Sequence, residues 1–149
     1  MTPDFIFHLL FRFIHIAAVI SLLGGAVYAR QVLVPILNSL PEDVRVESAG
    51  KAQRKYRTTL FTLLVLIVGS GFYNLLGGPR HSYGYQIWFG IKMLLVAHIV
   101  AVAVLWATSP YGDVSVAGKG KHRLLSIIVS GLLVVLISAY LRSLTLRGL

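Results

Sequence analysis

Apolar residues fall into four long runs along this chain, about Phe5–Ala29, Thr58–Leu76, Ile87–Thr108 and Leu124–Leu141, separated by polar, proline-bearing and glycine-bearing segments. Each run is close to the roughly 20 residues a helix needs to cross about 30 Å of hydrocarbon. Lipid offers the backbone no hydrogen bonds, so runs of this length are expected to close their own as helices. The pattern predicts an all-α fold: one integral membrane four-helix bundle, up-down-up-down, occupying residues 1–149 as a single domain. The first run is read as a span rather than a signal peptide. Asp4 stands where a basic leader segment belongs, and Arg12 interrupts the apolar stretch.

The linkers add detail. Pro35 is expected to kink or end the first helix. Ser39 with Glu42 has the spacing of a capping box, which predicts a new helix from near Leu40. The stretch AGKAQRKYR is expected to run into the second span as one continuous helix. LLGGPRHSYGY reads as a turn-rich outer loop and SPYGDVSVAGKGKHR as a flexible loop, with Pro110 closing span three. Gly24, Gly25, Gly69, Gly71, Ser126, Ser130, Gly131 and Ser138 are small enough to let helices approach closely.

Composition sharpens this picture. Hydrophobic residues make up 56% of the chain, charged residues 13%, and the mean hydropathy is +0.78. The net charge of +9 is unevenly placed. Residues 31–57 and 109–123, with Arg30, carry most of the cations, and the alternating topology puts both segments on one side. The positive-inside rule assigns that side to the cytoplasm and leaves both termini outside; the membrane expected is a bacterial inner membrane. Such loops orient a protein and meet anionic lipid; no nucleic-acid motif accompanies them. The absence of cysteine excludes disulfides, thiolate metal sites and thiol catalysis.

The candidate chemistry lies in ionisable residues at membrane depth. Steps of about 100° place His8, Arg12 and His15 within about 60° of one another on the first helix. Span three adds Lys92 and His98. His15 and His98 fall at similar depths on parallel spans, and Arg12 and Lys92 lie nearer the outer interface. The five acids (Asp4, Glu42, Asp43, Glu47 and Asp113) all lie outside the spans, so these cations lack a carboxylate partner at their own depth. A haem would meet both needs, with imidazoles on the iron and propionates on the cations. A phospholipid headgroup or an anionic substrate is the other anion that fits. Arg12 and Lys92 can also snorkel to headgroups, and a membrane histidine can serve as an interhelical hydrogen-bonding residue. His8 is a weaker candidate ligand, a quinone contact or a solvated residue. His81 sits in the outer loop, on the side of His8. His122 reads as a solvated member of a basic loop, and Tyr73, Tyr83, Tyr85 and Trp88 as an interfacial aromatic belt. No nucleophilic triad, carboxylate pair, phosphate loop or H-E-x-x-H pattern can be assembled. Redox chemistry supplied by a cofactor stays open.

Three stretches carry a resemblance: IHIAAVISLLGGAVYAR in span one, QRKYR before span two and WFGIKMLLV in span three. The chain resembles the membrane-embedded, haem-binding protoporphyrinogen IX oxidase family and the broader copper-resistance D-type membrane proteins, in order from about His15 to His98. The resemblance implies that His15 matches a first-span histidine thought to bind haem, followed by Gly25 and Tyr28, and that Trp88 and Lys92 match the tryptophan and lysine of span three. Gly90 stands where that family commonly has a histidine, Leu105–Trp106 where it has a tyrosine–histidine pair, and its Asn-Glu-x-Pro-like segment has no counterpart.

The expectation that follows is a membrane redox protein binding haem b through His15 and His98. Arg12 and Lys92 anchor propionates or an anionic substrate, and electrons pass to or from a quinone. Porphyrinogen oxidation is its family-specific form. A copper-handling permease without redox turnover is the alternative, although Met1 and Met93 are the sole thioethers. A structural subunit of a larger membrane complex is the third reading, and a homodimer suits so small a bundle.

Overall fold

The structure, a computed structural model, describes residues 3–76, 83–109 and 119–146. Helix α1 covers Pro3–Tyr28, passes through a π-helical turn at Ala29–Leu33 and continues as the short α2, Val34–Asn38. Helix α3 runs 35 residues, Glu42–Leu76; α4 covers Tyr83–Thr108 and α5 Lys119–Leu146. These make an all-α four-helix bundle, with four helices long and apolar enough to cross a membrane. Residues 77–82 and 110–118, the cores of the two other predicted loops, lie outside the described residues.

Pro35 does not end the first helix. The Val34 N–H donates to the carbonyl of Ala29, five residues back, and the wider turn stands immediately before the proline. A proline ring in a regular helix crowds the carbonyl four residues back, and the π turn relieves that conflict. Pro35 then occupies the first turn of α2, where its missing N–H is not needed. The predicted capping box also fails to form. Ser39 Oγ donates back to the Ile36 carbonyl at 2.7 Å, and α3 begins at Glu42 rather than Leu40. The continuous helix expected from AGKAQRKYR into span two is present. Tyr83 and Tyr85, expected in the outer loop, belong to the first turn of α4.

The helices associate as two antiparallel pairs. Helix α1 packs along α3, α4 packs along α5, and contact between α1 and α5 joins the pairs. Helices α3 and α4 touch only lightly, and any α1–α4 contact is slighter still. Ala18, Leu22 and Ala26 of α1, with Ala29 of the π turn, form a buried edge at helical spacing. Leu60, Leu64 and Ile67 meet it from α3, with Ile99, Ala103 and Trp106 from α4 and Leu124 and Ile127 from α5. The outside is as apolar as the inside: Phe13, Ile20, Val65, Leu94 and Leu136 are each about two-thirds exposed or more. Water would penalise such a surface; hydrocarbon does not.

At the basic end, side chains tie the helix termini together. Buried Gln53 of α3 donates through Nε2 to the Trp106 carbonyl at 2.9 Å and to the Ser109 carbonyl at 3.3 Å, satisfying acceptors that the end of α4 leaves open. Arg123 of α5 donates to Ser109 Oγ, and Arg30 donates to the Lys121 carbonyl at 2.8 Å. Close approach elsewhere depends on particular glycines. A Cβ on Gly25 would strike the Tyr56 hydroxyl, whereas one on Gly24 would meet nothing within 4 Å. Of the small residues read as packing points, Gly25, Gly71 and Gly131 serve that role, whereas Gly24 and Gly69 meet no neighbour.

Adjacent substitutions test this distinction. Gly25→Ala is expected to destabilise the bundle by about 1–3 kcal/mol through overpacking against Tyr56. Gly24→Ala is expected to be neutral or to stabilise by up to about 1 kcal/mol, from helix propensity alone. Reversible unfolding in mixed micelles, followed by circular dichroism, measures both; equal effects would refute the packing assignment.

Candidate intramembrane histidine–lysine site

Helix periodicity decides which polar residues of α1 face protein. His8, Phe11, His15, Ala18 and Leu22 recur at intervals of three or four and line the side facing α3. The ring of Phe11 stacks on Tyr73 at 4.0 Å between centroids, and His8 lies tilted against the same ring at 5.3 Å. Arg12, on the neighbouring face, is exposed. The stripe of three therefore divides: the histidines turn to α3, and Arg12 turns outward.

His15 is the best-held of them. Its Nδ1 lies 3.1 Å from the Ile67 carbonyl oxygen and 3.0 Å from Ser70 Oγ. A carbonyl oxygen only accepts, so the hydrogen in this contact belongs to Nδ1. Ser70 Oγ in turn donates to the Leu66 carbonyl and presents its lone pairs to the imidazole. In the neutral ring this fixes the tautomer and leaves Nε2 without a partner among the described residues. Gly71 completes the seat, because a Cβ there would stand 3.2 Å from His15 Cε1. Ser70 is itself buried.

Lys92 joins this site from α4. It is half-buried. Among the described residues it has no hydrogen bond or ion pair. All five acids lie outside the predicted spans. An ammonium at this depth without an anion is energetically costly, and it marks the place where an anionic group would be most stabilised.

His98 bonds to α5. It is exposed, and its Nε2 lies 2.7 Å from Ser126 Oγ of α5. Six residues separate Lys92 from His98, which places them about 120° apart around α4. When Lys92 faces the interior beside His15, His98 faces α5. Against the axial pair of His15 and His98 expected from matched depth stands one observation: His98 Nε2 is already engaged by Ser126. Trp88 meets Tyr140 edge-on at 5.4 Å, and Tyr85 stacks near Phe89 at 6.3 Å, consistent with interfacial aromatic packing. His122 and Arg142 are exposed; His81 and Arg80 lie outside the described residues.

Two contributors were not apparent from the sequence. Ser70 reads as one more small residue in VGSGF, and Gln53 as part of a basic surface stretch. The flanking glycines were the available signal for Ser70, since close helix approach brings a hydroxyl within reach of the next helix. Chemically, the site offers one oriented imidazole with a free Nε2, one ammonium and no carboxylate. Among the described residues, no group of three or more His, Cys, Asp or Glu is gathered that could hold a metal ion. Compared with known protein families, with curated proteins and with solved structures, the chain matches none.

The tautomer is directly observable. In ¹⁵N-histidine NMR of the labelled protein, His15 is expected to be an Nδ1–H imidazole in its neutral form, with an unprotonated Nε2. Ser70→Ala should weaken that preference without removing it, since the Ile67 carbonyl remains. An Nε2–H signal for His15 in the native protein would contradict the geometry.

Proposed function

We propose that this multi-pass protein is a haem b-binding redox protein of a bacterial inner membrane, with His15 as the axial ligand. The orientation of the His15 ring is the observation that carries the reading. Metal-ligating histidines commonly donate their second ring N–H to a carbonyl or another fixed acceptor, which sets the tautomer and raises ligand basicity. The Ile67 carbonyl and Ser70 hydroxyl make that contact at Nδ1, and Nε2 remains for iron. Lys92 supplies positive charge for a propionate, and Arg12 is a second cation nearer the outer interface. Haem, when bound, supplies one-electron chemistry. The chain's own residues orient the imidazole, neutralise a carboxylate and enclose both in low dielectric. A quinone or a porphyrinogen is the proposed electron partner, the latter in keeping with the family resemblance. In this reading the basic end faces the cytoplasm and both termini face outward.

His98 has a different part. With Nε2 engaged by Ser126, it is an interhelical hydrogen-bonding residue between α4 and α5. A visible spectrum of the purified protein, oxidised and dithionite-reduced, tests the proposal. A Soret band with sharp reduced α and β bands is expected. His15→Ala should abolish haem retention, Ser70→Ala should weaken affinity by about 10- to 100-fold, and His98→Ala should retain haem. A colourless protein, even after expression with added haem, would overturn the haem assignment. Loss of the bands in His98→Ala, with His15→Ala unchanged, would move the ligand to α4.

A further inference from the structure

A second site lies on the lipid-facing side of α3, apart from the haem reading. Two rows of side chains, Arg57–Phe61–Val65 and Thr58–Thr62–Leu66, each step four residues along the helix and flank a shallow, open hollow of about 470 Å³ on its surface. Rows at this spacing are the ridges of a helix surface, and the space between them is a groove. Its composition changes along its length. At the basic end stand the guanidinium of Arg57 and the hydroxyl of Thr58; toward the bilayer interior stand Phe61, Val65 and Leu66. Lys55 shares the Thr58–Thr62 face, three residues before Thr58.

Charge decides what belongs there. From Ser48 to Leu76 the sequence of α3 contains no acid. The cation one turn earlier, Lys51, is already paired with Glu47 at 2.6 Å. Lys55 and Arg57 are exposed and have no ion pair among the described residues. A second copy of this chain packed on the same face would bring these cations together, and like charges across an interface disfavour that arrangement. An anionic phospholipid fits instead. Arg57 to Leu66 spans about 14 Å of helix axis, close to half of the roughly 30 Å hydrocarbon thickness. We propose that the groove is a binding site for one anionic phospholipid of the leaflet at the basic end, its phosphate held by Arg57, Lys55 and Thr58 and an acyl chain laid against Phe61, Val65 and Leu66.

Native mass spectrometry of the full chain, released from micelles containing phosphatidylglycerol or phosphatidylcholine with identical acyl chains, tests this. One phosphatidylglycerol per chain is expected to be retained in preference to phosphatidylcholine. The double variant Lys55→Gln/Arg57→Gln should lower that retention by about tenfold. Val65→Trp should lower it by filling the groove with the charges intact; Val65 is 70% exposed, so the change spares the core. Arg142→Gln, a single charge removed at the opposite end, should leave it unchanged. Equal retention of the two lipids by the unaltered chain would overturn the proposal. So would full retention by Val65→Trp, or an equal loss in Arg142→Gln, which would show diffuse charge attraction without a site. Circular dichroism of each variant confirms that the helices are present.

Discussion

The hydrogen bonding of His15 Nδ1 to the Ile67 carbonyl and Ser70 hydroxyl is the contact around which the interior is arranged. An imidazole at this depth has no water to turn to, so its polar nitrogen must be met by protein, and here it is met from the adjacent helix. That requirement fixes the rotation of α1 against α3 and calls for a residue without a side chain at Gly71. The same rotation sends Arg12 outward and leaves Nε2 as the nitrogen with no task in the fold. Function and packing thus meet in one ring, because the atom that stabilises the helix pair also defines what the other atom can do.

Around that contact the bundle is uneven. The α1–α3 and α4–α5 pairs are each closely packed, and the slack seam lies between α3 and α4. Lys92 is half-buried on α4, with no ion pair among the described residues. At the basic end the slack is taken up by directed hydrogen bonds, with Gln53 and Arg123 holding the end of α4 and Arg30 holding the start of α5. Burying an amide such as Gln53 is costly unless it is bonded; its Oε1 has no partner among the described residues, so its two Nε2 bonds are what commit α3 and α4 to one register.

Much of the architecture was legible because hydrocarbon imposes few solutions: runs of about 20 apolar residues become helices whatever their order of packing. The ends were less legible. Pro35 was read by its usual effect in a regular helix, and a π turn absorbed it; the Ser39–Glu42 spacing was right for a cap, yet the hydroxyl found the Ile36 carbonyl first. At the site, His15 and Lys92 were visible through the cost of placing ionisable groups in lipid. Ser70 was not, since a hydroxyl between two glycines looks like packing. The expected union of His15 with His98 rested on depth alone. Depth does not specify which helices are neighbours, whereas the six-residue step between Lys92 and His98 does separate their faces.

The π turn at Ala29–Leu33 sets one more boundary on this sequence. It holds one residue more than a regular helix would place there, and so acts as a phase adjuster between the membrane part of the first helix and the short segment beyond it. Were these residues wound as a regular α-helix with none removed, everything after them would rotate by about 100°. Leu37, now buried against the bundle, would swing away from the core. The length of this turn is therefore as much a part of the sequence's specification as the identity of any residue within it.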